Sequence, residues 1–136
     1  MHGIDIDRVS RWLTDHVAEA TAPFEFTLIT GGRSNLTFLV TDVDGRRLVL
    51  RRPPLGHVLA TAHDMAREHR IIEAVGRTDV PVPRTLGLCT DEAVNGAPFY
   101  VMSFVDGIVL DSVEKGAAVP ADIKRKLSEH LIDVLA

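Results

Sequence analysis

Apolar and polar positions change period several times along the chain, and each change marks an element. Ile6, Val9, Trp12, Leu13, His16 and Val17 recur at three- and four-residue spacing, which predicts a helix over Asp5 to Ala20. Asp5 suits its N-cap and Asp7 its first turn; Pro23 closes the segment. An apolar run, Phe26 to Ile29, then meets Gly31-Gly32. Alternation follows from Leu36 to Val43, and Asp44-Gly45 separates it from a third run, Arg46 to Arg51. Asp-Gly between alternating runs predicts a hairpin with a type I′ turn, which requires positive φ at both central residues. The stretch reads as three antiparallel strands, the first bent into the second by the glycine pair.

Pro53-Pro54-Leu55-Gly56 reads as a loop, and Thr61 to Val75 as a second helix, with Thr61 and Asp64 at capping-box spacing. Met65, Ile71, Ile72 and Val75 form one apolar stripe on it. Glu68 falls within roughly 60° of each at ~100° per residue. A carboxylate there is costly to bury alone, so it either reaches a cation across the packed interface or the stripe opens onto a cleft. Val80-Pro81-Val82-Pro83 is stiff and extended. Thr85 to Cys89 is a short strand, Asp91 to Ala97 a turn with a second hairpin signal at Asn95-Gly96, and Pro98 to Val105 a fifth strand. Pro120 to Leu135 carries a last helical stripe: Ile123, Leu127, Leu131 and Val134. The expected fold is α+β: a five-stranded antiparallel sheet, one packed helix between strands three and four, and flanking N- and C-terminal helices. The expected organisation is one domain over 1–136, with an N-terminal helix in 1–22, sheet and helix in 24–107, and in 119–136 a linker helix or the start of a missing second lobe.

Composition narrows the class. The chain has 136 residues, 46% hydrophobic and 25% charged, which suits one globular domain with a real core. Net charge is -4 and no basic run interleaves with aromatics, which argues against nucleic acid. No apolar stretch approaches the ~20 residues of a membrane span, and MHGIDIDR lacks the features of a secretory leader. Cys89 is the only cysteine; it reads as a small buried apolar residue in a reducing, cytoplasmic setting. His57, His63 and His69 recur every six residues, ~240° apart on a helix, so they do not share a metal-binding face. Gly31 to Asn35 has two readings: an ordinary polar loop, or a small-residue turn whose amides face a phosphate.

Taken in order, GGRSNLTF at 31–38, VLRRPP at 49–54, AHDMAREHRII at 62–72, VPVP at 80–83 and FYVMSFVDG at 99–107 resemble the N-terminal lobe of the kinase-like phosphotransferases. That group includes the aminoglycoside phosphotransferases and choline kinases. The likeness is greatest to the phosphotransferase domains associated with acyl-CoA dehydrogenases. The resemblance implies ATP as cofactor and assigns Gly31, Gly32, Arg33, Ser34 and Asn35 to the loop over its phosphates, with Phe38 lining beneath. Val49 would roof the adenine and Arg51 reach the phosphates; strand alternation puts both on one side. Glu68 matches the helix glutamate that pairs with the strand-three cation, so Arg51 and Glu68 are expected to meet. Met102 matches the back of the adenine pocket, and Ser103, Phe104 and Val105 the hinge. Arg51 stands where the wider group has lysine, keeping the charge but changing donor geometry. Arg52 should face the other side unless a bulge shifts the register.

The family's H-G-D-x-x-x-x-N and later aspartate are not in these residues; His2-Gly3-Ile4-Asp5 has an extra residue and no asparagine at the needed distance. The expectation is a nucleotide-binding lobe, cut before the catalytic loop and inactive alone. A second lobe would hold Mg and a small-molecule hydroxyl acceptor. Two alternatives stay open: a non-catalytic binding or regulatory module, and a plain α+β domain in which Arg51–Glu68 is a structural ion pair. The apolar side chains of 120–135 exceed what one small lobe should cover. They point to a homodimer, a fold-back onto the sheet, or fraying.

Overall fold

A computed structural model describes residues 2–30, 35–56, 59–107 and 112–135. The chain divides into two compact units, Met1–Phe104 and Val105–Ala136.

In the first unit, α1 (Ile6–His16) is capped by Asp5, whose carboxylate accepts the Arg8 N–H. The helix ends at His16, four residues short of the expected Ala20. The chain leaves it to reach the sheet: Thr21 N–H donates to Asp42 Oδ2 at 3.2 Å, and Val43 N–H to the Thr21 carbonyl at 3.2 Å. The strands are β1 (Glu25–Thr30), β2 (Leu36–Thr41), β3 (Arg47–Arg52), β4 (Thr85–Cys89) and β5 (Phe99–Ser103). They form one antiparallel sheet in the order β1-β2-β3-β5-β4. Helix α2 (Leu59–Val75) connects β3 to β4. It is already helical at Leu59, so Thr61 lies inside it rather than at its cap. The Thr61 and Asp64 side chains lie outside the described residues.

The Asp44-Gly45 turn differs from the expected type I′, and the Asn95-Gly96 signal from a simple hairpin turn. Between β2 and β3, only Gly45 has positive φ, at 82°. Gly45 N–H donates to the Asp42 carbonyl and Asp42 N–H to the Arg46 carbonyl, closing a three-residue loop. Such a loop suits Asp at the start of a type I turn and glycine in the left-handed position after it. Asn95-Gly96 closes a short helix, α3 (Glu92–Asn95), with Gly96 as its left-handed cap at φ 75°. Asn95 is buried there, accepting the Asp5 N–H at 2.8 Å and donating to the Gly3 carbonyl at 3.0 Å.

One sheet face carries the core. Phe38 pairs with Leu50 and Leu50 with Val101, so these side chains share a face with Leu36, Val40, Leu48, Phe99 and Cys89. Val9, Trp12 and Leu13 of α1 join that cluster. Each such side chain contributes about 1.5–3 kcal/mol by leaving water. Gly87 on β4 makes the docking possible, because a Cβ there would come within 2.8 Å of Trp12 Cη2. Cys89 is buried as expected, and burial pushes its thiol above the usual value.

The second unit contains α4 (Val113–Ala117) and α5 (Ala121–Leu135). Ser112 caps α4 by accepting the Lys115 N–H. No residue of α5 is buried.

Candidate functional site

The opposite face of the sheet is built from the alternate residues. Continuous pairing of β2 with β3 and of β3 with β5 sets them in two rows. Thr37, Arg51 and Tyr100 make one row, and Leu39, Val49 and Met102 the next. One row is polar and the other apolar, side by side. No shift interrupts the β2–β3 register, so Arg52 turns to the core face as alternation requires. It is buried and donates to the Gly3 and Pro53 carbonyls, both at 2.9 Å; burial lowers its pKa.

Glu68 of α2 meets the polar row. Arg51 Nε donates to Glu68 Oε2 at 3.0 Å, and one terminal nitrogen of Arg51 to Thr37 Oγ1 at 3.4 Å. The Tyr100 hydroxyl donates to the same Oε2 at 2.9 Å, and Asn35 Nδ2 to Oε1 at 3.1 Å. Three donors, from β3, β5 and the residue just before β2, thus hold one carboxylate, which explains its place on an apolar stripe. Both open questions about that stripe are answered together: Glu68 pairs with a cation, and the pair is partly open, with side chains 33% and 31% exposed. Met65 is fully buried beneath α2, whereas Ile71 is exposed. Beside the pair lies a cavity of about 380 Å³ between α2 and β5, walled by Ile71, Ile72, Pro83 and Met102. Burial, then the hydrogen bond and charge of Glu68, push the Tyr100 hydroxyl well above the usual tyrosine value, partly opposed by Arg51.

The remaining residues singled out from the sequence are distributed as follows. Gly31, Gly32, Arg33 and Ser34 lie outside the described residues. Asn35 spends its side-chain amide on Glu68. Phe38 is fully buried on the core face, away from Val49 and Arg51. At the end of β5, Ser103 N–H donates to the Arg84 carbonyl at 2.8 Å and Ser103 Oγ accepts the Arg84 N–H at 2.9 Å. The Arg47 guanidinium lies 4.3 Å from the centre of the Phe104 ring, a cation–π contact. Val105 belongs to the second unit and is exposed. Sequence reasoning passed over Tyr100, Thr37 and Leu39. Alternation within PFYVMSFV already puts Tyr100 on the face of Met102; its nearness to Glu68 depends on β5 lying beside β3. Among the described residues no cluster of His, Cys, Asp and Glu is suited to a metal, and no helix is long and apolar enough to cross a membrane.

Comparisons with known proteins bear on this arrangement. Residues 25–136 match the model of the phosphotransferase enzyme family. The chain is 42% identical over 90 residues to mouse acyl-CoA dehydrogenase family member 10, covering 66% of this chain and 8% of that protein. It is 31% identical over 145 residues to human acyl-CoA dehydrogenase family member 11, covering 98% of this chain and 18% of that protein. A solved structure from Ralstonia eutropha, described as a "putative aminoglycoside phosphotransferase", superposes with a TM-score of 0.65 at 35% identity. That match covers 78% of this chain and 29% of the other. The chain thus spans less than a fifth of the length of these two dehydrogenase-family relatives. With the sheet order, the helix between β3 and β4 and these matches in agreement, the chain belongs to the phosphotransferase enzyme family.

Proposed function

We propose that these residues form the nucleotide-binding lobe of an ATP-dependent phosphotransferase acting on a small-molecule hydroxyl. The observation that carries this is the Arg51–Glu68 pair beside an apolar row on the same sheet face. A triphosphate needs fixed positive charge, and an adenine ring needs a flat apolar wall. Arg51 would meet the phosphates, and Val49 with Met102 the base. Within Ser103–Val105, Phe104 and Val105 would supply backbone groups to adenine, the Ser103 N–H being spent on the Arg84 carbonyl, and Gly31–Asn35 would lie over the phosphates. Phe38, on the core face, has no part in this reading. ATP supplies the phosphoryl group; Mg and the acceptor would be held by a second lobe carrying H-G-D-x-x-x-x-N, a motif not in these 136 residues. A single buried cysteine fits a cytoplasmic protein.

The alternative is a binding module that keeps nucleotide affinity without transfer. Calorimetric titration of ATP into a two-lobe protein carrying these residues tests the common element, and γ-phosphate release or transfer separates the two. Absence of ATP binding at millimolar concentration would sink both. The 136 residues alone are expected to transfer no phosphate and to bind ATP weakly. Submicromolar ATP affinity for this chain as a monomer would contradict the pocket assignment. The exposed apolar side chains of 120–135 would serve as a homodimer surface.

A further inference from the structure

We infer that Tyr100 is a positioning residue for the nucleotide phosphates: it holds Glu68 in place, and Glu68 in turn holds the guanidinium of Arg51. This rests on the nucleotide reading above. Tyr100 is 2% exposed, and its hydroxyl is committed to Glu68 Oε2, the oxygen that also accepts Arg51 Nε. His69, one residue along α2 from Glu68, meets the Tyr100 ring edge-on, with ring centres 6.1 Å apart.

The three partners of Glu68 are not equivalent. Arg51, as the cation, is the partner for which a phosphate would compete. Tyr100 is walled off from that competition by burial. When Arg51 turns a donor toward a phosphate, Tyr100 still satisfies the carboxylate, so α2 keeps its place against β5. Arg51 meanwhile stays pinned at two points of its planar fork, Nε by Glu68 and a terminal nitrogen by Thr37. A lysine ammonium at this position could also donate to Glu68, but as a rotating point charge it would not be held in a fixed plane. The arginine makes the bracing tyrosine useful.

Two measurements test the inference. This chain has one tyrosine, so tyrosinate absorbance reports Tyr100 alone. The signal should stay silent through the ordinary tyrosine value of 10.0 while the fold persists, and should move to lower pH in Glu68→Gln. Titration at the ordinary value in the folded wild type would overturn the contact. The second measurement uses the same two-lobe protein and Tyr100→Phe. ATP affinity should fall roughly five-fold, the scale of one hydrogen bond, while adenosine affinity holds. If wild type binds ATP and Tyr100→Phe binds it equally well, the inference fails and the nucleotide reading stands. If ATP and adenosine weaken together, Tyr100 only maintains the fold and the inference fails. If wild type binds no ATP, the nucleotide reading falls and takes this inference with it.

Discussion

Glu68 and Asp42 are carboxylates that the fold keeps among donors, and they respond differently to change. The Arg51–Glu68 pair is about one-third exposed at both ends, so solvent screens it. Arg51→Met should therefore cost about 1 kcal/mol or less in denaturant unfolding, while, on the proposed nucleotide reading, ATP affinity of the two-lobe protein drops at least ten-fold. A loss of several kcal/mol without a change in ATP affinity would reassign the pair to structure alone. Asp42 is buried in the β2–β3 turn. Burial pushes its carboxyl up, but the N–H groups of Arg46, Thr21 and Asp44 and the charge of Arg46 outweigh that and hold it below the usual 3.8. A depressed carboxyl stabilises the fold above its unfolded value and ceases to do so as pH falls through the folded one. Wild type should thus lose stability as pH drops below about 4, and Asp42→Asn should flatten that acid limb of the stability curve. An unchanged acid limb in the variant would remove Asp42 from the account.

At the scale of elements, α1 depends on a position far away in sequence. Trp12 packs edge-on to Phe99 at 4.9 Å and stacks on His16 at 4.6 Å, filling the space over Gly87. Gly87→Ala would put a methyl 2.8 Å from the indole, against both a helix and a strand. It should destabilise by about 1–3 kcal/mol and shift the fluorescence of Trp12, the chain's only tryptophan. Wild-type stability and emission in that variant would mean that α1 is more loosely seated than these contacts imply. The hairpins teach a related lesson. Asp-Gly and Asn-Gly each marked a reversal correctly, yet neither formed a type I′ turn. In both, only the glycine takes positive φ: in the first, the carboxylate of Asp42, two residues before Asp44, organises the loop, and in the second the Asn95 side chain ties down Gly3 and Asp5. The dipeptide signals a left-handed residue; how many residues surround it depends on which side-chain acceptors are at hand.

At the scale of the molecule, α5 is an intact helix with exposed Ile123, Leu127, Leu131, Ile132 and Leu135. So many apolar groups on one short helix favour a partner, and a two-fold dimer is the commonest closed arrangement. The chain should sediment as a dimer at micromolar concentration, and Leu127→Glu with Leu131→Glu should return it to monomer. A monomeric wild type at high concentration would discard the homodimer. The sequence by itself determined the five strands and the three longer helices, though not the short α3 and α4, and also the two faces of the strands and the placement of Arg51 and Val49 on one face. Periodicity belongs to neighbours along the chain, so it survives without any knowledge of packing. It also isolated Glu68 as a carboxylate in need of a partner. Only the tertiary structure decided who the partners are. β5 inserts between β3 and β4, and this sets Tyr100 opposite Arg51 and Met102 opposite Val49. The same placement brings the Tyr100 hydroxyl to Glu68, from a strand 32 residues further along the chain. Strand order and register between distant segments come from burying one common core, and no local pattern carries that information.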